Sequence, residues 1–171
     1  MGYDRTYSRE EIHQMLYLSE RRLRPSSPPA KARAGHSISL HTEQREDPFD
    51  RRSIRTDSTF VSRKDLVLAV EEVLHAAEGQ QQLATLNARE VPSCAITVQL
   101  TGSQRKIKAN VVRNPPMVKI GKEEFATEGP PLYLRDAQVS SVFVLVDKVG
   151  AAESWAPLHI QTAHPRDIVT E

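Results

Sequence analysis

The chain has 171 residues, 39% hydrophobic and 26% charged, enough for one domain with a flank. Its 23 basic and 22 acidic residues nearly cancel, which excludes a protein held to nucleic acid by bulk charge. No apolar run reaches the roughly 18 residues that span a bilayer, and MGYDRTYSREE lacks the apolar stretch of a secretory signal. Cys94 is the single cysteine, which rules out an intrachain disulfide and a thiolate zinc cage. Within VPSCAITVQL it reads as a small buried residue rather than a nucleophile. By thirds the net charge runs +2, +2 and −3, a mild early basic excess. A few arginines can still hold a polyanion locally.

In chain order, Ser8 to Glu11 fits a capping box, and Ile12, Met15, Leu16 and Leu23 continue a short helix to near Arg24. RPSSPPAKARAG then reads as a linker. Residues 1–33 are therefore expected to be a flanking helix and Pro/Ser-rich linker, and 34–171 the folded domain. GHSISL opens a second helix through His41 and Glu43, and Asp47-Pro48 starts a third that reaches Arg52. Ser62 caps the clearest helix, 63–77, whose stripe is Leu66, Val70, Val73 and Leu74, with Gly79 as its stop. A short helix at 80–86 follows.

From Val91 the pattern alternates. CAITVQLT and 106–112 read as a hairpin turned at Gly102-Ser103, and Asn114-Pro115-Pro116 breaks it. Residues 117–120 form a strand and 128–131 a loop. VSSVFVLVDKV, 139–149, is the strongest strand, and 155–164 the last. Helices first and strands later, without βαβ alternation, predict an α+β domain: N-terminal helices packed on an antiparallel sheet.

The six histidines argue against a metal. His36 and His41 are five apart, as are His159 and His164, which on a regular strand means opposite faces. His13 and His75 stand alone in helices. Thr162 and His164 are i,i+2 and share a face, with Pro165 expected to end the strand after them. Such a pair is ordinarily an exposed edge, and alternatively one wall of a catalytic cleft.

Gly35-His36-Ser37-Ile38, then His41 and, eleven residues on, Arg52 resemble the opening of the bacterial RNase A-like toxin domain. That domain sits at the C-termini of contact-dependent inhibition proteins and related polymorphic toxins. Ser58-Thr59-Phe60 is similar to the family's segment before its amphipathic helix. Leu158 to Pro165, LHIQTAHP, resembles its closing strand. The likeness covers about 34–166 in short pieces. Thr42-Glu43 departs from the family's Val-Gly, which leaves Arg52 in competition with Arg51 and Arg45, and His164 replaces a frequent tyrosine.

The resemblance implies an RNase A-like fold without disulfides and a site of His41, Arg52, Thr162 and His164. It also implies the toxic end of a larger exported protein acting in a target-cell cytoplasm, with a cognate immunity protein covering the cleft. No cofactor or metal is expected. The chemistry is coherent. Cleaving RNA without a metal needs a base for the 2′-hydroxyl, an acid for the leaving 5′-oxygen and a cation for the phosphorane. Two histidines and an arginine supply these, with His41 as base and His164 as acid, or the reverse. Thr162 then donates to a phosphate oxygen or orients a histidine. His36, Arg51 and Lys64 are further candidates for substrate contact. A bell-shaped pH–rate profile and resistance of DNA are expected. A non-catalytic protein-binding module and a metal-dependent nuclease are the alternatives.

Overall fold

The computed structural model describes residues 2–21, 56–102, 106–113, 117–120, 123–126, 132–149 and 156–169. Helices α1 (Arg9–Ser19), α2 (Arg63–His75) and α3 (Ala77–Thr85) pack with a curled antiparallel sheet. Its strands are β1 (Thr56–Phe60), β2 (Ser93–Gln99), β3 (Lys108–Arg113), β6 (Leu132–Lys148) and β7 (Leu158–Ile168). A separate ribbon joins β4 (Met117–Ile120) to β5 (Glu123–Ala126).

The capping box at Ser8 is complete, since Ser8 accepts from the Glu11 N–H and Glu11 accepts from the Ser8 N–H. The Arg5 guanidinium on Glu11, together with the Ser8 N–H, holds that carboxyl below its usual range. The helix ends at Ser19, five residues short of the expected end. Ile12, Met15 and Leu16, from the stretch read as a flank, are fully buried in the same core as Leu74 and Ile160.

Gly79 does not stop a helix. The break falls at Ala76, whose ψ of 155° turns the chain, and Gly79 lies inside α3. A Cβ at Gly79 would fall 1.8 Å from the Val73 carbonyl oxygen, so the close approach of α3 to α2 requires glycine. Gln80 Nε2 donates to the Leu74 carbonyl at 2.6 Å, satisfying a group left open at the end of α2.

β2 and β3 are not a hairpin. Each pairs antiparallel with β6, β3 with its first part and β2 with its second, because β6 is 17 residues long and can seat both. β1 pairs β3, and β7 pairs the second part of β6. One sheet face is apolar: Cys94, Ile96, Val98, Val142, Val144, Val146, Ile160 and Ala163 pack with the helices. Alternation places Phe143, Leu145 and Asp147 on the other face.

Candidate active site

Two features shape β7. First, the register shifts between Leu145 and Val146, so that Gln161 is an inserted residue. His159 then pairs with Asp147, Thr162 with Leu145 and His164 with Phe143, and all three lie on the face opposite the helices. The bulge thus brings His159 and His164, five apart, to one face where a regular strand would separate them. Second, the strand does not end at Pro165 but continues to Ile168. The Pro165 carbonyl accepts from Ser58 Oγ, away from β6, and its nitrogen shares that side, so the missing N–H removes no bond to β6.

Continuation beyond Pro165 adds Arg166, an inserted residue at a further register shift between Ser141 and Val142, whose contact with Thr97 places it on the face of His164. Its Nη1 donates to Thr97 Oγ1 at 3.0 Å across Phe143, with the guanidinium exposed. In the sequence a proline at 165 marks a strand end, which hides Arg166.

His164 is half-buried against Phe143, ring centroids 5.1 Å apart. Its Nδ1 lies 3.0 Å from the Pro165 carbonyl oxygen. A carbonyl only accepts, so this contact is a hydrogen bond in the form that carries the hydrogen on Nδ1 and the lone pair on Nε2. Thr162, between the two histidines, is 9% exposed, and its Oγ1 has no hydrogen-bond partner among the described residues. A buried hydroxyl left so costs about 1–3 kcal/mol.

At the inner end His159 and Asp147 are both fully buried, with Nδ1 3.5 Å from Oδ2. In the sequence His159 stands out only as a possible metal ligand, since its partner lies on another strand. The partners of His159 and His164 lie four positions apart on β6, roughly 13 Å of strand. These two imidazoles therefore do not flank one phosphodiester.

Of the candidates named from sequence, Thr162 and His164 are brought together. Lys64 lines a groove of about 630 Å³ between α1 and α2, beside His13, Tyr17, Val67 and Leu68. His36, His41, Arg51 and Arg52 lie outside the described residues. Cys94 is buried, and burial, helped by nearby Asp147, pushes its thiol up to about 11, so it is protonated and unreactive near neutrality. Among the described residues no group of three His, Cys, Asp or Glu is placed to hold a metal ion. No helix among them is long and apolar enough to cross a membrane.

Comparison with protein-family models, with curated proteins and with solved structures finds no match to this chain.

Proposed function

We propose that the protein is a metal-independent endoribonuclease that cleaves RNA by attack of the 2′-hydroxyl on the adjacent phosphorus. The observation that carries this reading is the buried, unpartnered Thr162 hydroxyl beside a histidine whose Nδ1 faces the Pro165 carbonyl, both on one face of β7. His164, bare at Nε2 when neutral, takes or gives one proton there, and His41 handles the other. As the O2′–P bond forms, the base removes the 2′-hydroxyl proton. As the P–O5′ bond breaks, the acid protonates the leaving oxygen. The products end in a 2′,3′-cyclic phosphate and a 5′-hydroxyl. Thr162 donates to a non-bridging phosphate oxygen, and Arg166 and Arg52 supply fixed positive charge to the phosphorane. The resemblance to polymorphic toxin domains supports an RNase A-like fold and extends the reading to an exported toxin with a cognate immunity protein.

The test is cleavage of total RNA in EDTA by the folded chain. His164→Ala and Thr162→Val are expected to lower the rate about a hundredfold or more, as removal of a proton-transfer group does, with circular dichroism unchanged. Intact RNA with the unmodified chain favours a binding module, and activity abolished by EDTA favours a metal-dependent nuclease.

A further inference from the structure

One carbonyl on β7 is shared by two donors from different strands. The Pro165 oxygen accepts from Ser58 Oγ of β1 at 2.9 Å and from the His164 ring Nδ1 at 3.0 Å. Pro165 is buried, and β1 is anchored by its five-residue register with β3, so the serine approaches from a fixed direction. The second element anchored on β7 here is α1, whose Ser19 Oγ accepts the Ile160 N–H at 2.9 Å. Ser19 holds the inner part of the strand, and Ser58 holds the carbonyl that reads the histidine.

We infer that Ser58 is a positioning residue: it pins the Pro165 carbonyl so that His164 is kept as the Nδ1–H tautomer, with Nε2 as its proton-transferring nitrogen. The inference deepens the ribonuclease reading and uses that reading's histidine, but its core is a statement about a tautomer. The physical reason is orientational. A peptide plane at the outer side of β7 has no strand ladder to hold its oxygen. Without the serine donor the Pro165 oxygen has one fixed partner fewer to set its direction toward the imidazole, and Nε2–H forms then compete. The serine touches neither of the atoms that the proposed reaction joins or breaks, so its effect on rate passes through His164.

The experiment is ¹⁵N–¹H correlation of the histidine rings above their titration range, on the full chain, for the unmodified protein, Ser58→Ala and Ser58→Thr. The His164 Nδ1 resonance is expected in the protonated range and Nε2 in the bare range for the unmodified protein. Ser58→Ala moves both toward the averaged values of exchanging tautomers, and Ser58→Thr, which keeps the hydroxyl, restores them. The proposal is overturned if unmodified His164 is the Nε2–H tautomer, which needs no variant to establish. It is equally overturned if folded Ser58→Ala keeps the unmodified pattern. Cleavage of RNA is measured alongside: kcat falls about tenfold in Ser58→Ala with KM little changed, a size consistent with lost orientation. A shifted tautomer in a chain that cuts no RNA upholds the positioning role and defeats the ribonuclease reading. The two failures are therefore distinguishable.

Discussion

The inner half of β7 seals a histidine away from water, whereas the outer half leaves one on the same face half-buried beside an exposed arginine. His159 faces Asp147 with both side chains at zero exposure. His164 stacks on Phe143 and is tied to the Pro165 carbonyl. Residue type and face are shared, so neither separates the two. Burial and partner do: His159 is fully buried against Asp147, and His164 is half-buried against Phe143 and the Pro165 carbonyl.

The sharpest way to break this contrast is truncation at both ends. Asp147→Ala or His159→Ala is expected to cost about 3–5 kcal/mol in urea unfolding, because each removes one half of a fully buried polar pair. His164→Ala loses chiefly a ring contact, about 1 kcal/mol. Equal losses at the two positions would mean that the histidines are both structural.

Alkaline unfolding probes the sealed side of the sheet. Burial, with Asp147 nearby, pushes the Cys94 thiol up to about 11, and burial pushes Tyr7 up to about 12. Both groups hold their proton more tightly folded than unfolded. The stability they confer is full below the ordinary pKa values of 9 and 10, and is lost as pH rises toward the folded ones. The melting temperature should fall between pH 9 and 11, and Cys94→Ala should flatten that fall. An unchanged slope would contradict the buried thiol.

The smallest effect belongs to the exposed end. Arg166→Ala should raise KM for RNA about fivefold, the size of one lost charge-assisted contact, and leave the melting temperature unmoved. A matching loss of stability would make Arg166 a strap on Thr97 rather than a substrate contact.

The elements with strong period were legible before any coordinates. The Ser8 capping box, the Ser62 cap with Leu66, Val70, Val73 and Leu74 behind it, and the apolar alternation of VSSVFVLVDKV all form as their spacing requires. What escaped depends on contacts distant in sequence. Gly79 looks like a helix stop until the Val73 carbonyl is seen beside it. CAITVQLT and the strand after it look like a hairpin until β6 proves long enough to take both. In the site, the i,i+2 rule puts Thr162 and His164 on one face, and the register agrees. The same rule misplaces His159, because a one-residue bulge at Gln161 leaves no mark in composition, and it stops at Pro165 although the proline's nitrogen faces away from the ladder.

The outer half of β7 is proposed to work on a ribose 2′-hydroxyl. The direct measurement uses one oligoribonucleotide and its all-2′-deoxy counterpart, incubated with the chain in EDTA, with the ends of any fragments identified by mass. Cutting of the RNA alone, leaving 2′,3′-cyclic phosphate and 5′-hydroxyl ends, is the expected result. Fragments carrying 5′-phosphates, or equal cutting of the deoxy strand, would contradict it.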